Sequence, residues 1–123
     1  MRAAIDEIPV TMELPGVTIR EVEWGGIHIG VENYNQELDL TPFFRGAPHD
    51  MCISSHWGYV ISGGFQVRYL DGREETVKAG DVYYLPPQHL VVLQPGTKLV
   101  EFSPKDEYAA AMEIVARNLE QTA

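Results

Sequence analysis

Hydrophobic and polar residues alternate with a period of two along most of the chain, and the pattern turns helical only at the C-terminal end. Val17–Trp24 sets Val17, Ile19 and Glu21 against Thr18, Arg20 and Val22, and Gly25-Gly26 ends the run. Ile27, Ile29 and Val31 then share one face of a second predicted strand, with His28 on the other. Asn33 to Pro48 is less regular, with a short strand predicted around Glu37–Leu40 and a loop at Phe44–Pro48. Met51–Ile61 is strongly β-prone, and Phe65–Leu70 follows across Ser62-Gly63-Gly64. Asp71-Gly72 separates Gln66–Leu70 from Arg73–Val77. Asp-Gly between alternating runs predicts a hairpin on a type I′ turn, which needs positive φ at both central residues. Val82–Leu85 lies between the Ala79-Gly80-Asp81 turn and Pro86-Pro87, where the ladder loses two donors. Leu90–Leu93 and Lys98–Phe102 flank the Pro95-Gly96 turn.

The tail reads as a helix. Ser103 is placed to cap it, Pro104 fits the first helical position, and Asp106 completes a pattern like a capping box. Tyr108, Met112, Val115 and Leu119 fall on one stripe, which predicts packing. Roughly nine or ten short strands and one helix predict an all-β architecture, a closed β-barrel or jelly roll with a C-terminal α-helix. The predicted organisation is a single domain: an arm or strand over 1–16, the barrel over 17–102 and the helix over 103–122. In the arm, Ile8, Val10, Met12 and Leu14 alternate and are suited to pairing across a dimer edge.

Composition narrows the class. At 123 residues there is room for one core. The single cysteine cannot form an internal disulfide, so a disulfide-stapled secreted mini-protein is excluded, and the thiol fits a reducing cytoplasm. Eighteen Asp+Glu against nine Lys+Arg give a net charge of −9, which argues against a nucleic-acid or anionic-membrane surface. The N-terminal residues carry acids where a secretory signal would be apolar, and no run approaches the ~18–20 apolar residues of a membrane helix. A cytoplasmic protein is the expectation.

Gly80-Asp81-Val82-Tyr83-Tyr84-Leu85-Pro86-Pro87-Gln88-His89 resembles the second motif of the cupin family, G-x5-P-x-G-x2-H-x3-N. Upstream, Tyr59-Val60-Ile61-Ser62-Gly63 resembles the end of the first, H-x-H-x(3–4)-E-x6-G, with the Asp-Gly hairpin between the two. The resemblance spans Val17 to Phe102 and is nearest to small single-domain bacterial cupins; it implies a cupin/jelly-roll barrel, often homodimeric. The metal-binding positions depart from the family pattern. His56 stands where the family has glutamate, and the two upstream histidine positions become His49 and Met51, or Asp50 and Cys52, depending on spacing. Gln88, Val91 and Pro95 replace the family's glycine, last histidine and asparagine. The family's three-histidine, one-glutamate site is therefore not present as written.

In an unbroken strand Asp50, Cys52, Ser54, His56, Gly58 and Val60 share a small, polar face suited to a lumen, and Trp57, Tyr59 and Ile61 share a bulky one. His56 and His89, with Cys52 or His49 as third ligand, form a candidate site for a divalent transition metal (Zn, Fe, Mn, Ni or Cu), since imidazole and thiolate suit these better than Mg or Ca. The competing readings are a hydrogen-bonded barrel histidine for His56 and a packed small hydrophobe for Cys52. Tyr83, Tyr84 and Gln88 are candidates for contacts to a small-molecule ligand. Cys52 and His56 are ~13 Å apart along an ideal strand, which forbids direct pairing unless a bulge intervenes. No G-x-S-x-G elbow, phosphate loop or dinucleotide fingerprint is present. Three classes stay open: a metal-dependent oxygenase, isomerase or lyase, a metal-free ligand-binding or accessory protein, and an assembly module.

Overall fold

Ten strands and one helix make up the computed structural model, which describes residues 1–122. The strands are β1 (Val10–Leu14), β2 (Val17–Trp24), β3 (Ile27–Tyr34), β4 (Leu38–Asp39), β5 (His56–Ser62), β6 (Gly64–Tyr69), β7 (Glu74–Lys78), β8 (Val82–Leu85), β9 (His89–Leu93) and β10 (Thr97–Pro104), followed by α1 (Lys105–Thr122). All pairings are antiparallel, in a six-stranded sheet of order β1-β2-β3-β10-β5-β8 and a four-stranded sheet of order β4-β9-β6-β7. The two sheets face one another as a jelly roll. Their inward side chains, among them Ile19, Val60, Phe65, Leu93 and Leu99, form the main core. A second cluster, with Phe44, Met51, Cys52, Leu90 and Ile114, lies where α1 meets the loops after β4.

The Asp-Gly hairpin forms, but on a different turn. Gly72 adopts φ +89° while Asp71 keeps a negative φ; Gly72 N donates to Tyr69 O at 2.9 Å. This is a type I turn followed by a left-handed glycine, which requires only one residue with positive φ. The arm forms β1, which pairs with β2 of its own chain, with a register shift between Val10 and Met12, and stands at one edge of the six-stranded sheet.

The helix begins at Lys105, and Ser103 and Pro104 still belong to β10. Ser103 is not its cap, because its hydroxyl is engaged by a histidine inside the barrel. Several side chains tie α1 to the barrel, Tyr108 and Asn118 among them. Tyr108 Oη donates to Glu21 Oε2 at 2.8 Å and stacks on the His28 ring at 3.5 Å; Asn118 Nδ2 donates to the carbonyls of Phe43 and Arg45 at 2.7 and 3.0 Å. Glu21 also accepts from Thr11 and lies 2.5 Å from His28 Nε2. The His28 hydrogen bond, assisted by Thr11 and Tyr108, holds the Glu21 carboxyl at about 2 despite partial burial.

Candidate metal centre

The segment before β5 is broken, and the break creates the site. His49 and Asp50 both take positive φ, 57° and 55°, in a 3-10 turn at Pro48–Asp50. Cys52 then pairs with the start of β9 rather than extending β5: Cys52 N donates to His89 O at 3.0 Å, and Gln88 N donates to Cys52 O at 2.7 Å. Ile53–Ser55 turns the chain into β5, held by Ser55 N donating to Glu107 Oε1 on α1 at 2.9 Å. The unbroken strand expected over 50–60 is therefore incorrect. Cys52 Sγ lies 3.6 Å from His56 Nε2, and the donor atoms of Cys52, His56 and His89 all fall within 4.8 Å of one another. All three residues are buried.

Each imidazole is fixed through its other nitrogen. The carbonyl of Pro86 can only accept, so His89 Nδ1, 2.6 Å away, carries the proton and leaves a lone pair on Nε2. His56 Nδ1 lies 2.6 Å from Ser103 Oγ and 3.5 Å from Glu101 Oε2, contacts that hold the ring with Nε2 toward Cys52; a proton on Nδ1 would leave the Nε2 lone pair free. The rings meet edge to face at 5.1 Å. Burial lowers both imidazoles to about 4, with His28 adding to the effect on His56 and His56 to that on His89, so both are neutral near pH 7. Burial pushes the Cys52 thiol up to about 12.

These donors fit a transition metal. Zinc bonds of about 2.3 Å to sulfur and 2.05 Å to nitrogen at tetrahedral angles set an S···N edge of about 3.6 Å, the separation found between Cys52 and His56. Neutral imidazoles with their outer N–H groups engaged are the state a metal requires. Only the thiol must lose a proton on binding.

The other predicted residues take different places. His49 is exposed on its turn and lies outside the Cys52/His56/His89 group. Strand alternation sends Tyr83 inward, where its hydroxyl donates to Glu101 Oε1 at 2.8 Å, and Tyr84 outward, where it stacks on Trp57 at 5.2 Å. Gln88 adopts φ +72° in the turn before β9, and its Oε1 is buried without a hydrogen-bond partner among the described residues. Val91, at the family's histidine position, faces the same cavity one inward step beyond His89.

Two carboxylates in the site were not singled out from the sequence. Glu32 on β3 and Glu101 on β10 line a cavity of about 60 Å³ together with Cys52, His56 and His89. They hydrogen-bond one another; Tyr34 donates to Glu32, and Tyr83 to Glu101. Burial raises both carboxyls well above the usual range, and the charge of Glu101 raises Glu32 further. Two close buried carboxylates retain a proton between them near neutral pH. Gly58 makes the arrangement possible, since a Cβ there would overlap the Tyr83 ring as it reaches Glu101. The signal available in the sequence was β3 alternation, which puts Glu32 on the face of His28 and Tyr34, opposite Ile27, Ile29 and Val31.

No protein-family model matches the sequence, and no curated protein matches it significantly. Solved structures do match. An RmlC-like cupin from Shewanella frigidimarina superposes with a TM-score of 0.59 at 19% identity, covering 83% of this chain and 88% of that one. KdgF from a Halomonas species gives 0.58 at 24% identity, covering 82% and 90%. HppE in an Fe(II) form gives 0.53 at 11% identity, covering 84% of this chain and 59% of that one. At such identities the likeness speaks for architecture, and it agrees with the two-sheet jelly roll. The chain has the fold of the cupin superfamily.

Proposed function

We propose that this barrel binds one divalent transition metal through Cys52, His56 and His89 and a small organic molecule beside it, as a metal-dependent oxygenase, isomerase or lyase. The observation that carries the reading is the convergence of a thiol and two imidazole lone pairs, with the Cys52–His56 separation matching a metal-bound edge. HppE, a structural neighbour described with Fe(II), supports it only in that a protein of similar fold is described with a metal. Three protein donors leave a coordination position free, and a metal there supplies Lewis acidity to whatever occupies it. Ser103 and the Pro86 carbonyl orient the two rings. The Glu32–Glu101 pair holds a proton at the cavity wall, from which it can be given to or taken from a bound molecule. Elemental analysis of untagged protein tests the reading: one equivalent of metal supports it, and no metal bound or taken up from Zn, Fe, Mn, Ni or Cu overturns it.

A second reading, a metal-free ligand-binding or accessory protein, is favoured by one observation. The protonated thiol of Cys52 can donate to His56 Nε2, so two of the three candidate donors can pair with one another without a metal. In either case we infer a cytoplasmic protein with a reduced, buried thiol. We also infer a homodimer, formed through the outer face of the six-stranded sheet. There Ile29, Phe102, Trp57 and Tyr84 stand in register across four strands, and the last three are 39%, 47% and 50% exposed.

A further inference from the structure

The helical stripe read from the sequence as packing has a second role. Met112 and Val115 on α1 line a cavity of about 130 Å³, walled on the opposite side by Met12 and Ile19 and at the loops by Leu40 and Phe43. Its floor is polar: Glu32, Glu101, Cys52 and His56 line it too, so it opens onto the candidate metal centre. The chamber is thus apolar along its length and acidic at one end. Among the described residues, no Lys or Arg lines it.

Size and charge both restrict an occupant. An apolar cavity of ~150 Å³ in a protein interior holds a benzene molecule, so this space suits one ring or a short branched chain. A carboxylate, phosphate or sulfate head at the floor would meet two carboxylates and no basic side chain. A hydroxyl or amine would instead donate to Glu32 or Glu101 and come within reach of the metal position. We infer that the small molecule is a compact, ring-sized apolar alcohol, phenol or amine, seated with its body between α1 and β1–β2 and its polar head on Glu32 and Glu101. This deepens the proposed function and rests on its lumen being the binding site.

Benzyl alcohol, benzylamine and benzoate differ mainly in the head group, and calorimetric titration into metal-free and zinc-loaded protein compares them. In metal-free protein, where the carboxylates set the sign of the floor, the alcohol or the amine is expected to bind at least tenfold more tightly than benzoate. Val115→Phe and Met112→Phe, both enlarging side chains of the α1 wall and neither altering a candidate metal donor, are expected to weaken that binding at least tenfold while retaining metal uptake and a cooperative thermal transition. Equal or tighter binding of benzoate, no saturable binding of either donor probe, or unchanged affinity in both folded variants overturns the inference. Zinc uptake without probe binding removes this inference and leaves the metal reading standing. Probe binding blocked by the variants, in a protein that takes up no metal, does the reverse.

Discussion

Ser103 places its hydroxyl oxygen 2.6 Å from Nδ1 of His56, while Nε2 of the same ring faces Cys52. The serine thereby sets the ring plane of a candidate ligand from a strand that supplies no candidate ligand itself. Ser103→Ala is expected to weaken metal affinity by about tenfold to a hundredfold, the usual effect of losing such a partner. The fold should persist, because Glu101 Oε2 lies 3.5 Å from the same nitrogen. Competition with a chromogenic chelator measures the change, and an unaltered affinity would show that the hydroxyl does not position the ring.

The thiol of Cys52 gives a kinetic prediction. With its pKa pushed to about 12, roughly 10⁻⁴ of it is thiolate at pH 8, against about a tenth of an unperturbed cysteine. Alkylation of metal-free native protein by iodoacetamide is expected to run about a thousandfold slower than in urea. Mass spectrometry at timed intervals reads this directly, and comparable rates in the two states would contradict burial of a protonated thiol.

Opposed titrations shape the stability of the metal-free protein. The Glu32 and Glu101 values are raised on folding, so their contribution is complete below about 4.5 and is lost as pH rises through the raised values. The two imidazoles are lowered from 6.5 to about 4, so theirs is complete above 6.5 and lost as pH falls toward 4. Where the windows overlap the two trends offset, leaving a net decline on the alkaline side. Stability should therefore fall between pH 6.5 and 8, in the range where a metal-site protein is ordinarily handled. Glu32→Gln keeps a partner for Tyr34 and removes one buried charge; it is expected to flatten that decline and add about 1–3 kcal/mol at pH 8. Urea denaturation across this range checks both the slope and the variant.

The exposed aromatic row on the six-stranded sheet predicts a mass near twice 13.8 kDa by light scattering at micromolar concentration. Trp57→Glu introduces a charge into the centre of that row and is expected to return the monomer mass without loss of fold. A monomeric wild-type protein would remove the dimer.

Period-two alternation made the strands legible, because each is two-faced and bounded by Gly or Pro. The Asp-Gly hairpin and the Pro86-Pro87 stop were local in the same way. His56 and His89 were legible as candidate ligands, His56 from the family's glutamate position and His89 from the strand that follows Pro86-Pro87. What the sequence could not convey was the distance between Cys52 and His56. It depends on Cys52 pairing with His89, a contact between segments far apart in the chain. Glu32 and Glu101 escaped notice for a related reason. A lone carboxylate in a strand reads as solvent-facing until β3 and β10 are seen to pair and turn both acids inward. Ser103 fits a cap in the sequence because capping is a local pattern, whereas its actual partner is 47 residues away.

Under the proposed metal reading, that long separation would make the candidate metal position a sensor of chain closure. Cys52 reaches His56 only after docking on β9, and His56 is oriented only after the final strand, β10, has joined β5. A chain lacking β10 keeps every candidate ligand yet loses the hydroxyl that aligns one of them. Tight capture of an ion would thus belong to the completed barrel, and the ion would act as a latch fastened last.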